Sequence, residues 1–330
     1  MGPDPIWVTL NRNCEPEVLK SLSDKSFIKK LGITQNIMMT SKYLPFDPAV
    51  APKRRLPAGT VDCHFHVFED PSVYPHTANR SYTPSLAPWA AFEAMNNAIG
   101  ADRAVLVHPS VYGHDHSTLL DTMRAHADRL RAVAVLSVDS TDAEIEQLHQ
   151  AGTRGTRVNI LFAGGNQLSD AEALARRIKP FGWHIQFLVD VSAQPDIPAW
   201  ASRLGVPVVF DHFGHPSRPD VKDAGFQNMC ALVREGSAWV KLSGAYRVVD
   251  SANQWSAIQP FVDQLLNTRT DRLVWGTDWP HPNIPAPMPN DGDIADTVFT
   301  WLPTETLRQQ ILVRNPEVLY GFAPFSGARA

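Results

Sequence analysis

The sequence predicts an α/β protein built as a single (β/α)8 barrel of the TIM type with an N-terminal extension. From Gly59 onward, short apolar segments alternate with helical segments eight times, which is typical of a parallel sheet. The 330 residues exceed the roughly 250 of such a barrel, which leaves room for an extension. An open, doubly wound sheet is the alternative, but the sequence has no glycine-rich phosphate loop of the kind those folds carry.

Composition and charge are those of an ordinary soluble globular enzyme, with 44% hydrophobic and 19% charged residues. The net charge of −4 is mild and argues against a nucleic-acid partner. No run of 18 apolar residues and no signal-like N-terminal stretch occurs, so we expect no membrane partner. The three cysteines, Cys14, Cys63 and Cys230, are scattered, which fits a reducing compartment, and we expect a cytoplasmic location.

The chain divides into an arm and a barrel domain. Residues 1–56 have no hydrophobic period and many prolines, and we interpret them as an N-terminal arm with one short helix over 18–31. A contact between copies through this arm would make a homo-oligomer, and a disordered tail is the alternative. Residues 57–330 form the predicted (β/α)8 catalytic domain.

Eight strands are predicted from short apolar segments that end in polar residues: 61–67, 103–108, 131–138, 155–159, 183–189, 206–210, 238–242 and 272–276. Helical segments follow them over 88–100, 117–127, 139–151, 169–180, 197–204, 226–234 and 255–266, and two more, 304–312 and 316–320, close the chain. The third helix has the clearest capping signals, with Ser140 or Thr141 first, Glu144 three or four residues later and Gly152 at the end. The sixth strand is apolar throughout, as expected for a strand buried on both faces.

Candidate functional residues are the polar side chains at the carboxyl ends of these strands, because active sites of such barrels lie there. His64 and His66 stand two apart on the first strand, so alternation places both on one face and Cys63 on the other. By the same alternation Asp211 faces away from His212. The candidates after the other strands are His108, Ser110, Tyr112, Arg154, Arg157, Gln186, His212, Lys241, Arg247, Asp278 and His281.

Three motifs occur among these strand ends. They are His64-x-His66, the Asp-His-x-Gly of residues 211–214, and the octet Trp-Gly-Thr-Asp-Trp-Pro-His-Pro of residues 275–282. Together they resemble the amidohydrolase superfamily, and more narrowly its branch of lactone hydrolases, which includes 2-pyrone-4,6-dicarboxylate lactonase, sulfomuconolactone hydrolase and galactarolactone isomerase. The resemblance covers residues 59–322.

The resemblance implies a role for each matched residue. Asp278 is implied as the general base that takes a proton from water, with His64, His66 and His212 polarising the carbonyl or holding a divalent metal. The resemblance therefore implies two catalytic residues, Asp278 and His212. The anionic groups of the substrate would be held by arginines, whose planar forks suit carboxylate and sulfonate. The implied substrate-binding set is Arg154, Arg157, Arg247, His108, Ser110, Tyr112, Gln186 and His281.

The metal content follows less directly from the resemblance. Metal-dependent members usually carry a histidine at the end of strand five, where this chain has Gln186, and strand four carries Arg157 and Asn159 in place of a bridging lysine or glutamate. A binuclear site is therefore disfavoured. One Zn²⁺ held by His64, His66, Asp278 and His212 is one expectation, and metal-free catalysis by the same residues is the other.

The function that the resemblance implies is hydrolysis of a small anionic lactone in aromatic-compound catabolism. The lactone would be muconolactone-like, sulfomuconolactone-like or pyrone-dicarboxylate-like. Three alternatives stay open at this point. They are a metal-dependent decarboxylase or hydratase of the same superfamily, a lactone isomerase, and a catalytically dead barrel that serves as a binding protein.

Overall fold

The predicted barrel is confirmed in the computed structural model, which describes residues 45–162, 166–249, 255–284 and 288–327. Within those residues, eight parallel strands pair in sequential order. They are β1 (Val61–Phe65), β2 (Arg103–Val107), β3 (Leu130–Ala134), β4 (Thr153–Asn159), β5 (His184–Leu188), β6 (Val208–Phe210), β7 (Ala238–Leu242) and β8 (Leu273–Trp275). Each lies within, or overlaps, the segment predicted for it.

Helices cover the outside of the barrel between the strands. In chain order they are α1 (Trp89–Ile99), α2 (Ser117–Ala125), α3 (Asp142–Gln150), α4 (Ala171–Ile178), α5 (Ile197–Leu204), α6 (Ala224–Glu235), α7 (Gln259–Thr268), α8 (Asp291–Trp301), α9 (Glu305–Gln309) and α10 (Asn315–Tyr320). The capping box predicted for α3 forms between Thr141 and Glu144. In the part of the chain described here, no helix has the length and apolar character needed to cross a membrane.

The sequence did not predict α8, whose first turn contains Gly292. Its start is fixed by Asn290, whose side chain accepts a hydrogen bond from the Gly292 N–H at 3.0 Å. The same side chain joins α8 to the end of the predicted arm, since Asn290 Oδ1 also accepts from the Val50 N–H at 2.9 Å. Residues 1–44 of that arm, including the helix predicted over 18–31, lie outside the described residues.

The first strand does not alternate in the way the sequence suggested. The register of β1 on β2 shifts between Asp62 and Phe65. Cys63 packs in one buried cluster with Val105, Val133 and Val274, which come from three other strands and therefore fill the barrel interior. The prediction that Cys63 faces away from the histidines was wrong, because the register shift turns both Cys63 and His64 inward.

The barrel closes where β8 meets β1, just beyond the end of β8. The Asp278 N–H donates to the His64 carbonyl, and the His66 N–H donates to the Trp279 carbonyl, both at 2.8 Å. Gly276 makes this approach possible, because a Cβ there would lie 2.7 Å from the His64 nitrogen. The closure therefore sets the two histidines of β1 beside the aspartate that follows β8.

Replacement of Gly276 by alanine should lower both stability and activity. The added methyl has to push β8 away from β1, which we expect to cost about 1–3 kcal/mol and to displace Asp278. Urea unfolding and kcat measure the two effects. Gly182→Ala is the control, because its methyl meets nothing within 4 Å and only its φ of 67° is unfavourable. It should lower stability without lowering kcat, and unchanged kcat in both variants would contradict the role given to Gly276.

Candidate active site

Three histidines surround one carboxylate oxygen at the carboxyl end of the barrel. Asp278 Oδ1 lies 3.7 Å from His64 Nε2, 3.8 Å from His66 Nε2 and 3.8 Å from His212 Nε2. All four side chains are buried. The distances are too long for hydrogen bonds, and neither His64 Nε2 nor Asp278 Oδ1 has a hydrogen-bond partner among the described residues. The centre of the cluster therefore leaves room for a small species with affinity for lone pairs.

The orientation of the imidazoles is fixed from behind. His66 Nδ1 lies 2.7 Å from the Val107 carbonyl, which only accepts, so the proton of the neutral ring is on Nδ1. His212 Nδ1 lies 3.0 Å from Ser243 Oγ. Burial holds the pKa of His66 and of His212 well below the usual range, so both rings are neutral. His66 therefore presents an Nε2 lone pair to the cluster.

This donor set fits a divalent metal ion. A lone pair of His66 and an ionised carboxylate oxygen of Asp278 face one another with no hydrogen between them. Each of the three rings has a polar partner at its Nδ1: the Val107 carbonyl for His66, Ser243 for His212 and Lys241 for His64. His64, His66 and Asp278 place one ligand atom each within 4.8 Å of one another. Imidazole nitrogen and carboxylate oxygen are ligands that zinc accepts. The residues that can hold a metal are therefore present.

Asp278 uses its second oxygen to hold its own orientation. Oδ2 accepts from Arg247 Nε at 2.6 Å and from the Tyr246 hydroxyl at 2.5 Å. Burial alone would raise the pKa of Asp278, but Arg247 and the histidines of the cluster hold it well below its usual range. Asp278 is therefore ionised at neutral pH, with Oδ2 anchored and Oδ1 free to accept a proton.

Asp211 lies inside the barrel beneath His64. Its Oδ1 is 3.2 Å from His64 Nδ1 and 3.4 Å from Lys241 Nζ. Burial would raise the pKa of Asp211, but Lys241, His64 and Arg157 hold it well below its usual range. The prediction that Asp211 faces outward was wrong. Asp211 lies two residues after Val209, which packs in the barrel interior, so the side chain of Asp211 also faces inward. The side chain of His212 faces inward as well, because a φ of 51° at His212 turns the chain immediately after the strand.

Two predicted substrate contacts also bind Asp211. Arg157 donates to Oδ2 through Nε at 3.1 Å, and its Nη2 lies 3.0 Å from the same oxygen. Gln186, which pairs with Arg157 across β4 and β5, donates to Oδ2 at 3.0 Å and accepts from Lys241 Nζ at 2.7 Å. The structure thus places Gln186 and Lys241 below the pocket as supports of Asp211, while Arg157 also reaches the pocket wall.

A pocket opens above the histidine cluster. Its lining includes six of the residues predicted from the sequence: His66, Ser110, Arg157, His212, Arg247 and Asp278. It also includes seven residues to which the sequence analysis assigned no catalytic, substrate-binding or metal role: Tyr82, Asn159, Phe162, Leu188, His215, Pro282 and Asn283. Asn159 had a readable signal, because it closes β4 two residues after Arg157 and so shares its face. The walls combine two arginines with apolar and aromatic side chains.

Four predicted substrate contacts lie elsewhere. Arg154 is the second residue of β4, at the opposite end of the barrel, and donates to the carbonyls of His149 and Thr153. His108 is buried with its Nε2 3.2 Å from the Gly113 carbonyl. The remaining two contact neighbouring groups of the protein. The Tyr112 hydroxyl accepts a hydrogen bond from the Glu69 N–H, and His281 Nδ1 lies 3.0 Å from the Tyr246 hydroxyl.

Comparison with known proteins assigns the family. A family model described as amidohydrolase matches residues 61–322. The chain belongs to the amidohydrolase family. The 4-sulfomuconolactone hydrolase of Hydrogenophaga intermedia is 32% identical over 273 residues, which cover 81% of this amidohydrolase and 90% of that relative. The D-galactarolactone isomerase of Agrobacterium fabrum is 27% identical over 280 residues, which cover 83% of this chain and 95% of the isomerase.

Solved structures agree with the family assignment. A Pseudomonas putida crystal structure described as a 2-pyrone-4,6-dicarboxylic acid hydrolase superposes with a TM-score of 0.72 and 28% identity. The match covers 82% of this amidohydrolase and all of the other chain.

Proposed function

We propose that this amidohydrolase hydrolyses a small anionic lactone of the muconolactone, sulfomuconolactone or pyrone-dicarboxylate type, as a cytoplasmic step of aromatic-compound catabolism. One observation carries the proposal. Asp278 is ionised and anchored through one oxygen, while its other oxygen faces three imidazoles at the floor of a pocket that two arginines line. The similarity to a sulfomuconolactone hydrolase supports the choice of lactone.

Asp278 is the proposed general base. Its Oδ1 takes a proton from water as the water oxygen bonds to the lactone carbonyl carbon. The carbon–oxygen bond of the ring then breaks, and the same carboxyl group returns the proton to the departing ring oxygen. General base catalysis of this kind contributes roughly 10²–10⁴-fold to the rate. His212 is held by Ser243 and lies beside Asp278. We propose that it faces the carbonyl oxygen of the lactone, which gains negative charge in the reaction.

We further propose one Zn²⁺ per chain, held by His64, His66 and Asp278 with His212 beside them. When bound, the ion supplies Lewis acidity to the carbonyl oxygen and favours ionised water. The support is the tautomer of His66. The neutral ring carries its hydrogen on Nδ1, so Nε2 has a lone pair and cannot donate a hydrogen bond to a substrate carbonyl. Metal-free catalysis would require His66 to present a hydrogen at Nε2.

Removal of metal should abolish activity, and zinc alone should restore it. Elemental analysis of the purified protein is expected to give about one zinc per chain, since the two groups of possible ligands among the described residues, His64 with His66 and Asp278 and His64 with Asp211 and His212, share His64. His66→Ala should lose the bound zinc, whereas His126→Ala, at the end of α2, should retain it. Full activity in protein with no measurable metal would contradict the zinc site and leave the metal-free form.

Arg247→Met should weaken the enzyme selectively toward charged substrates. Arg247 lines the pocket and is one of the two guanidinium groups proposed to hold the substrate anion. A hydrogen bond between charged groups contributes about 1.5–3 kcal/mol, so kcat/KM for an anionic lactone should fall roughly tenfold to hundredfold more than for its uncharged methyl ester. Because Arg247 also anchors Asp278, the ester serves as the control for that second effect. Equal losses for both substrates would remove Arg247 from anion binding.

The direct test is a panel of 4-sulfomuconolactone, muconolactone and 2-pyrone-4,6-dicarboxylate, with ring opening followed by absorbance and proton release. At least one should be hydrolysed with kcat/KM of about 10⁴ M⁻¹s⁻¹ or more. Rearrangement without proton release would favour an isomerase, in line with the similarity to D-galactarolactone isomerase. If no lactone reacts, the decarboxylase, hydratase and binding-protein alternatives replace the proposal.

A further inference from the structure

The wall of the pocket that β4 forms carries hydrogen-bond donors that a ligand can use. Arg157 donates to Asp211 Oδ2 through Nε at 3.1 Å, and its Nη2 lies 3.0 Å from the same oxygen. Both contacts use the edge of the guanidinium group that faces into the barrel. Nη1 has no hydrogen-bond partner within the described residues, and Arg157 lines the pocket. Arg157 therefore keeps its Nη1 hydrogens for a ligand.

Asn159 adds a second donor to the same wall. It follows Arg157 by two residues on β4, so the two side chains share a face. Its Oδ1 accepts hydrogen bonds from the N–H groups of Leu161 and Phe162 at 3.0 and 3.1 Å, which identifies the other amide atom as the Nδ2 donor. Asn159 also lines the pocket. Arg157 Nη1 and Asn159 Nδ2 form a site made of donors, the β4 subsite, which suits an anion.

Arg247, the other arginine of the pocket, is engaged on two sides. Its Nε donates to Asp278 Oδ2 at 2.6 Å, and its Nη2 donates to the Pro282 carbonyl at 2.9 Å. Arg247 can share an anion that the β4 subsite holds, but a second anion at Arg247 alone would lie beside the ionised carboxylate of Asp278. One guanidinium group would then face two anions, and the two anions would repel each other.

The remaining wall of the pocket offers no charged partner to a second anion. Leu188 pairs with Asn159 across β4 and β5, so apolar surface begins directly beside the β4 subsite. Phe162 and Pro282 add to that surface. Within the described residues, no lysine and no third arginine lines the pocket. An ionised group held against apolar side chains loses its hydration and gains no partner, which is strongly unfavourable.

We propose that this pocket takes lactones with a single anionic group, bound at the β4 subsite, and discriminates against lactones with two. Muconolactone carries one carboxylate, whereas 4-sulfomuconolactone and 2-pyrone-4,6-dicarboxylate each carry two anionic groups. The zinc proposed above does not provide a second anion subsite, because it serves the reacting carbonyl and water. The assignment rests on the proposed function, since it takes this pocket to be the substrate site.

Rates on the lactone panel test the number of anionic groups that the pocket accepts. The kcat/KM for muconolactone should exceed that for either dianion by roughly tenfold or more, as expected when one charged group finds no hydrogen-bond partner. A dianion hydrolysed with an equal or higher kcat/KM would overturn the proposal and leave the proposed lactone hydrolysis intact.

Binding of two unreactive probes tests the same point without catalysis. Isophthalate has two carboxylates in the meta arrangement of 2-pyrone-4,6-dicarboxylate, and 3-methylbenzoate has a methyl group in place of one of them. Calorimetric titration of the full-length protein should give a dissociation constant for 3-methylbenzoate at least about tenfold below that for isophthalate. Equal or tighter binding of isophthalate, or no binding of 3-methylbenzoate at millimolar concentrations, would overturn the proposal. If every lactone is inert while 3-methylbenzoate remains the tighter ligand, the proposed function fails and the single-anion pocket stands.

Asn159→Asp tests the β4 subsite itself. Aspartate keeps an oxygen for the N–H groups of Leu161 and Phe162, so the turn after β4 should persist, but it replaces the Nδ2 donor with an acceptor and adds a negative charge. Binding of 3-methylbenzoate should weaken roughly tenfold to hundredfold, the range for loss of a hydrogen bond to a charged group. Binding of its uncharged methyl ester should change far less. Equal losses for the acid and the ester, or no loss for the acid, would overturn the β4 subsite.

Asn97→Asp is the matched control. It adds the same charge at an exposed position on α1, and binding of both probes should equal that of the unchanged protein. Weakening of 3-methylbenzoate binding as large as in Asn159→Asp would mean that overall charge, and not the β4 subsite, is responsible, and would overturn the proposal. The comparison of 3-methylbenzoate with isophthalate uses the unchanged protein, so it decides the proposal even if Asn159→Asp fails to fold.

Discussion

Asp278→Asn should lower kcat for lactone hydrolysis by about 10²–10⁴-fold, the contribution expected of a general base. Asparagine keeps the size of the side chain, and its amide oxygen can still accept from Arg247 and Tyr246. It cannot take a proton from water. Steady-state kinetics on the best lactone of the panel measures the loss, and binding of the unreacted lactone to the variant should persist because Arg157 and Arg247 remain.

Loss of kcat in this variant has to be separated from loss of fold. Thermal unfolding should show that Asp278→Asn remains folded. Asp62→Asn is a useful comparison, because Asp62 lies next to the cluster and accepts from the Thr277 N–H and hydroxyl. It should affect stability more than it affects kcat. Hydrolysis by Asp278→Asn within tenfold of the unchanged enzyme would remove Asp278 from the role of base.

Asp211→Ala should lower the free energy of unfolding by about 3–5 kcal/mol, because it leaves two buried cations without their common partner. Lys241 is fully buried, and its amine is 3.4 Å from Asp211, while Arg157 contacts the other carboxylate oxygen. No other carboxylate within the described residues contacts either cation at ion-pair distance. Urea unfolding followed by circular dichroism measures the change.

The control for this variant is Asp220→Ala, an exposed aspartate in the loop that follows β6. Its free energy of unfolding should change by no more than about 0.5 kcal/mol. A change below about 1 kcal/mol in Asp211→Ala would mean that Lys241 and Arg157 find other partners or lose their charge. In that case Asp211 would not be the support that holds His64.

The sequence predicted the part of the site that follows from strand direction. In a barrel of parallel strands every carboxyl end meets at one rim, so residues that close different strands come together. His64, His66, His212 and Asp278 meet for this reason, although more than 200 positions separate His64 from Asp278. The same rule, applied consistently, excludes Arg154, which precedes the predicted fourth strand and therefore lies at the other rim.

The errors arose where the backbone leaves ideal strand geometry. Alternation predicts faces only within an unbroken strand, and the register shift in β1 reverses it for Cys63. Left-handed backbone at His212 has a similar effect after β6, and it brings Asp211 and His212 to the same side. Cysteine does not mark a bulge, and histidine, although enriched among the few non-glycine residues at positive φ, adopts that conformation too seldom for His212 to be predicted from sequence.

Residues behind the site were missed for a different reason. Tyr246, which follows β7, was not among the predicted site residues, and Asp291 belongs to α8, a helix that was not predicted. Contacts such as that between His281 and Asp291 depend on how a helix start packs against a strand end. Periodicity places elements in a fold class but does not give their packing distances, so contacts of this kind become visible only in the structure.

Hydrolysis in water enriched in oxygen-18 tests the proposed reaction at the reacting atoms. If Asp278 activates water, one oxygen-18 atom should appear in the new carboxylate of the ring-opened product, in a single turnover with excess enzyme. Mass spectrometry of the product gives the label. A rearranged lactone without label, or a ring-opened product without label, would contradict water activation at the histidine cluster.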